Sequence, residues 1–278
     1  MLPQLPFDVL INICQYLSCK DILTLSQCCR DYRELVYHVR FTKKVQHHKI
    51  KTLPYFDSFT NIICDNDVML LPKFLRKLKW MPTSAPPIDT PKSLTHLIFG
   101  PNNNRLLWNF PESLTHLTFG NSYNQPLRVL PESLTQLILG FHYNQPLPDL
   151  PKSLTLLILG NYYDQPLPDL PNALKYLRFG WNYNHPLLYL PNSLIRLELG
   201  HFYNHPLPRL PTTLQYLLLG WNYNHPLPDL PGTLIRLDLG YHYNHPITCL
   251  PKSLKYLKIS SQVQIPSVLP PGLRITRL

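Results

Sequence analysis

Four histidines, His185, His205, His225 and His245, stand twenty residues apart and share one place in a repeating unit. Imidazoles stacked at a strand's spacing are the raw material of a metal column. Earlier units argue against that chemistry, because they put Gln125, Gln145 and Gln165 at the same place. An amide replaces imidazole as a hydrogen-bond partner but is a poor transition-metal ligand. The series therefore reads as one that satisfies backbone groups, and no metal or other cofactor is expected. A second series, Asn124, Asn144, Asn184, Asn204, Asn224 and Asn244, has Asp164 in its gap. Each side chain suits an unpaired turn amide in the neighbouring unit, a task Asp164 can share. Tyrosines from Tyr123 to Tyr243 keep the same period and are expected to stack in the core.

Other chemistry is absent by motif. The chain has no G-x-S-x-G elbow, no G-x-x-x-x-G-K-[ST] phosphate cradle and no H-E-x-x-H pair, so no catalysis is expected. Four of six cysteines crowd the first thirty residues as Cys14, Cys19, Cys28 and Cys29, without zinc or disulfide spacing.

What must position these series is the repeat itself. Gly recurs every twentieth residue from Gly100 to Gly240, and Pro from Pro91 to Pro251. In the unit Pro131–Leu150 the spacing of Leu134, Leu137 and Leu139 sends alternate side chains to one side, as in a short strand with one buried face. Pro146, Pro148 and Pro151 forbid a useful helix and favour an extended, polyproline-like return. The expected architecture is a parallel β solenoid of 20-residue coils with a Pro-rich back wall, each coil stable only through its neighbours. Gly at the strand's end is expected to supply positive φ or close backbone approach.

Composition agrees: among 278 residues, 31 are Pro and 15% are charged, too few charges for a set of polar-faced helices. The net charge of +10 favours acidic partners only weakly. No basic leader opens the chain, no apolar run approaches the roughly 18 residues of a membrane span, and no Asn-x-Ser/Thr acceptor occurs. An intracellular, cytoplasmic protein with no membrane partner is expected.

Boundaries follow from where the period starts and fails. Residues 91–260 form the repeat solenoid, and 261–278 a worn last unit ending in Arg274 and Arg277, suited to cap the sheet edge. Residues 41–90 are a basic connector followed by degenerate lead-in coils, recognisable from Leu53-Pro54 to Cys64 and from Leu71-Pro72 to Trp80. Residues 1–40 lack the period and show helical spacing at Val9, Leu10, Ile13 and Leu17, with Ser18 and Asp21 placed as a capping box for a second helix.

Two resemblances follow from these residues. The strand spacing resembles the leucine-rich repeat, and Tyr-Asn-Gln/His-Pro-Leu after the Gly resembles its FNIP subtype. Leu5-Pro-Phe-Asp-Val-Leu10, Ile13, Tyr16-Leu17, Asp21-Ile-Leu23 and Cys29-Arg30-Asp-Tyr32 resemble the F-box motif, with Tyr32 where Trp is commoner. The combination is similar to proteins of amoebae and their giant DNA viruses. The F-box resemblance implies a Skp-type adaptor, and through it a cullin ubiquitin ligase, as partner. It carries Leu5, Pro6, Leu10, Ile13, Leu17 and Leu23 onto the adaptor face, and leaves an unidentified protein substrate to the repeats.

The two outward strand positions vary from unit to unit and are expected to form a concave binding face. One end is apolar; the other is charged and aromatic. Leu156, Tyr176, Arg178, Arg196, Tyr216, Leu218, Arg236 and Tyr256 are residue types that anchor protein interfaces and are the expected substrate-binding set. Nucleic acid is the disfavoured rival. The basic run Tyr37–Lys51 lacks a long stripe of interleaved aromatics.

Overall fold

The computed structural model describes residues 7–14, 16–18, 21–22, 24, 35–87, 89–107 and 109–277. Among the described residues, thirteen strands form one parallel sheet in strict chain order, from β1 (Val45–Gln46) to β13 (Arg274–Arg277). The repeat strands β4 (His96–Phe99), β5 (His116–Thr118), β6 (Gln136–Ile138), β7 (Leu156–Ile158), β8 (Tyr176–Arg178), β9 (Arg196–Glu198), β10 (Tyr216–Leu218), β11 (Arg236–Asp238) and β12 (Tyr256–Ile259) pair without slippage. Tyr176 faces Arg196, Leu177 faces Leu197 and Arg178 faces Glu198, so every pairing is a step of one repeat. In six of the repeats the strand is followed by a turn in which the Tyr amide bonds the Gly carbonyl, as from Tyr143 to Gly140 at 3.2 Å. A second turn closes on the Pro, with the Leu134 amide 3.0 Å from the Pro131 carbonyl. Between those turns the described chain is neither helix nor strand.

The core is built from one inward leucine per strand and one tyrosine per turn. Leu117 through Leu237 in this row have no exposed surface. Tyr123, Tyr143, Tyr163, Tyr183, Tyr203, Tyr223 and Tyr243 form a continuous column with ring centres 6.1–6.3 Å apart and planes within 10° of parallel. Such offset stacking adds packing to area burial. The repeat glycines act through close approach and not through positive φ; only Gly272, in the cap, has φ of 73°. A Cβ on Gly200 would stand 1.7 Å from the carbonyl oxygen of Gly180, because the column runs glycine on glycine.

The coil before the solenoid proper is already part of it. Phe41 bridges to Phe59 in parallel, with ring centres 4.9 Å apart and Phe41 buried. β2 (Asn61–Cys64) and β3 (Lys77–Trp80) continue the sheet into β4. Ahead of them lie helices α1 (Phe7–Cys14) and α2 (Leu35–His38). Ser58 donates its hydroxyl to the Val36 carbonyl at 2.7 Å, tying α2 to the first coils. Cys14, Ile22 and Val36 are buried in the same apolar core as the repeats. The capping box expected at Ser18 is formed reciprocally: the Asp21 amide donates to Ser18 Oγ at 3.2 Å and the Ser18 amide to Asp21 Oδ2 at 3.3 Å. At the far end, β13 pairs with β12 and leaves Arg274 and Arg277 exposed, covering the edge with charge.

Candidate protein-binding face

Alternation along each three-residue strand buries the middle leucine and leaves its two neighbours on the open side of the sheet. Register then lines up one residue per coil. Tyr176, Arg196 and Tyr216 come together in consecutive coils, and the Arg196 guanidinium lies 5.4 Å from the ring centres of both tyrosines. Glu198 is the hub of this cluster. Its carboxylate accepts from the Tyr176 hydroxyl at 2.9 Å and from Arg196 Nε at 2.5 Å, and pairs with Arg178 Nε at 3.4 Å. Burial first, then the hydrogen bond to Glu198, holds the Tyr176 phenol above its ordinary pKa, so it remains a donor. Two coils on, Arg236 grips Asp238 through two nitrogens, at 2.9 and 2.7 Å, and its hydrogen bonds to that carboxylate raise its pKa. Leu218 is half-buried between these charged groups, and Tyr256 is 45% exposed. Leu156 stands at the other end of the face, beside half-buried Ile158 and Gln136. The face is thus a preorganised surface in which paired charges hold aromatic rings upright.

One part of this surface escaped the reading of the sequence. The positions just after each Gly project along one margin of the sheet and carry Trp181, Trp221 and Tyr241, with exposures of 57%, 48% and 50%. His201, Trp221 and Tyr241 stack in sequence, ring centres 5.3 and 5.1 Å apart. Phe202 and Tyr162 extend the exposed margin. Between margin and strands runs an open groove of about 350 Å³ lined by Arg178, Trp181, Glu198, Trp221, Asp238 and Lys258. The signal was present as aromatics at a variable position beside an invariant Gly.

The polar ladders hold the scaffold. The amide of Asn144 is 2.9 Å from Asn124 Oδ1, and the same link runs through Asp164 to Asn244 at 2.9–3.1 Å. Gln145 Nε2 reaches the same Asn124 oxygen at 3.4 Å, whereas His205 Nε2 donates to the Asn184 main-chain carbonyl at 2.8 Å. The His series therefore spends its Nε2 on backbone oxygens. A third ladder, of Ser and Thr hydroxyls, was not foreseen: Ser133 Oγ donates to the Leu114 carbonyl and Thr213 Oγ1 to Leu194, at 2.7 and 2.9 Å.

In the amino-terminal module, Ile13 is 39% exposed on α1 while Leu17 is half-buried against the core. Leu10 lies within α1. Leu5, Pro6, Leu23, Cys29, Arg30 and Tyr32 lie outside the described residues. No helix of the described residues is long and apolar enough to cross a membrane.

Family comparisons meet this geometry at both ends. The F-box domain model matches residues 2–44, and the FNIP Repeat model matches 106–142, 143–168, 163–202 and 223–262. The chain is an F-box and FNIP-repeat protein. Among solved structures, the F-box/FNIP chain is similar to CroV588, a giant-virus protein described as a novel circular LRR protein. Identity is 31% and the TM-score 0.71 over 85% of this chain and 40% of that one. It is also similar in fold to YopM from Yersinia enterocolitica WA-314, at 24% identity and a TM-score of 0.51 over 80% of this chain and 60% of that one. The F-box/FNIP chain thus spans less than half the length of CroV588. No curated protein matches it. The solenoid is a leucine-rich-repeat fold with 20-residue coils, and both of its recognised modules are of kinds that bind proteins.

Proposed function

We propose that this chain is the substrate-recognition subunit of a cullin-type ubiquitin ligase. Its F-box binds a Skp-type adaptor, which joins it to the cullin. The outward sheet face binds a target protein. The observation that carries this reading is the sequence of modules: an F-box over residues 2–44 precedes a face on which Glu198 holds Tyr176 and Arg196, with the Tyr216 ring against the Arg196 guanidinium. Aromatic and arginine side chains fixed before binding lose little entropy when a partner docks, which is what makes such residues anchors. Val9 and Ile13 are exposed on α1 and accessible to an adaptor. Leu5, Pro6, Leu10, Leu17 and Leu23 complete that surface by resemblance to the motif, and the protein would act inside the cell, where the ligase is.

A second reading, a protein-binding repeat scaffold with no ligase role, is favoured by the burial of Cys14, Ile22 and Val36 in the solenoid core, as a simple cap would be buried. Purified full chain mixed with a recombinant Skp-type adaptor decides between them. Co-elution in size exclusion supports the ligase reading, and two separate peaks at tens of micromolar leave the scaffold.

A further inference from the structure

The outward face changes its charge balance at the carboxy-terminal end. From Leu239 to Leu278 the chain carries Lys252, Lys255, Lys258, Arg274 and Arg277 and no aspartate or glutamate. Over β8 to β11 each cation of the face is matched: Arg178 and Arg196 pair with Glu198, and Arg236 engages both oxygens of Asp238. Among the described residues these ion pairs stop at Asp238, and Lys258 and Arg274 have no carboxylate partner. Register places Tyr256 between Arg236 and Arg274, and Lys258 between Asp238 and Thr276. The Arg274 guanidinium lies 5.9 Å from the ring centre of exposed Tyr256, which steadies the arginine at the surface. Among the described residues its N–H fork has no acceptor. Lys255 and Arg277, by contrast, turn to the main-chain carbonyls of Pro271 and Ser261, at 3.4 and 3.1 Å.

We infer that Lys258 and Arg274, grouped around Tyr256, dock an acidic segment of the target protein; this rests on the reading of the outward face as the target-binding face. A free guanidinium fork takes a carboxylate through two parallel hydrogen bonds, and an ammonium adds a point charge beside it. One strand across and two residues along from each other, Arg274 and Lys258 stand roughly 8 Å apart at the backbone. That is within side-chain reach of the roughly 7 Å between alternate side chains of an extended peptide. Asp238, the register partner of Lys258, has its oxygens engaged by Arg236 and leaves the lysine free. A nucleic-acid strand fits worse, because it needs a basic groove several nucleotides long. Here the unmatched charge spans two coils and is followed along the face by the carboxylates of Asp238 and Glu198.

The test is fluorescence anisotropy of the full chain with two labelled peptides, hexaglutamate and hexaglutamine, at low ionic strength. Wild type is expected to bind hexaglutamate about 3–30-fold tighter than hexaglutamine, a difference that added salt shrinks. K258E/R274E is expected to abolish the difference. K92E/K152E changes the net charge equally, at exposed lysines outside the strands, and is expected to keep it. Circular dichroism identifies a variant that fails to fold, and K258Q/R274Q, which removes the charges without reversing them, then carries the decision. Equal binding of the two peptides by wild type overturns the proposal. So does an equal loss in K92E/K152E, which would mean that net charge alone attracts the peptide, or an oligothymidylate that binds through Lys258 and Arg274 more tightly than hexaglutamate. Neither peptide involves the adaptor. Adaptor capture without hexaglutamate binding therefore sinks this site alone, and selective hexaglutamate binding without adaptor capture leaves the site standing on a plain scaffold.

Discussion

Asn144 holds its side-chain oxygen 2.9 Å from the main-chain amide of Asp164, one coil further on. Asp164 in turn accepts from the Asn184 amide at 3.1 Å, so a carboxylate does the work of an amide in the middle of the ladder. What the ladder requires is an oxygen acceptor at that place, not asparagine as such.

This makes two neighbouring substitutions unequal. Asn144→Ala leaves the Asp164 amide without its acceptor and is expected to cost about 0.5–1.5 kcal/mol. Asp164→Asn keeps the acceptor and is expected to stay within about 0.5 kcal/mol of wild type. Urea melts of the two variants give the comparison, and equal losses would count against the ladder.

Position along the stack should matter as well. Leu177 in the middle strand β8 has no exposed surface, whereas Leu273 near the cap is half-buried. Leu177→Ala is expected to cost about 2–5 kcal/mol through the cavity it opens, and Leu273→Ala distinctly less. A similar loss at both sites in denaturant melts would mean that coils do not stabilise one another by stacking.

The tyrosine column predicts an alkaline limit. Burial pushes the phenols of Tyr123, Tyr143, Tyr163, Tyr183 and Tyr223 upward, and Tyr203 to about 12. The phenol oxygens of Tyr143 and Tyr223 have no hydrogen-bond partner; the nearest amides, of Leu127 and Leu207, favour ionisation but fall short of bonding geometry. Unfolded tyrosine ionises near pH 10, so the folded chain holds protons that the unfolded one releases. The stability these residues confer is complete below about pH 10 and is lost as pH rises towards their folded values. Absorbance titration should show exposed tyrosines ionising first and the column only as the fold melts. A single smooth titration of all phenols with the fold intact contradicts this.

Much of the fold was legible because strict period forces identical residues into contact. Leu134, Leu137 and Leu139 show a strand, and the Asn series shows its own hydrogen bonds once coils are stacked. What a single unit hides is the relation between units. Gly200 needs to lack a Cβ because Gly180 lies directly beneath it, a fact invisible in one repeat. The hydroxyl of Ser133 acquires a purpose only from the Leu114 carbonyl in the coil before. Phe41 and Val45 sit in a run rich in lysine, and only pairing with the next coil exposes them as the first turn of the sheet. On the binding face, Tyr176, Arg196 and Tyr216 were legible as outward anchors, but Trp181, Trp221 and Tyr241 were not, since they follow the strand instead of lying on it.

Adaptor binding and target binding are expected to be separable on this one chain, and a paired pull-down with full-length variants measures both. Leu5→Ala with Pro6→Ala is expected to abolish capture of a Skp-type adaptor while leaving the repeat fold intact by circular dichroism. Tyr176→Ala with Tyr216→Ala removes both rings that flank Arg196 and is expected to leave adaptor capture unchanged while weakening retention of the target protein at least tenfold. Wild-type chain that captures no adaptor, or a Tyr176/Tyr216 variant that loses adaptor and target together while remaining folded, contradicts the claim.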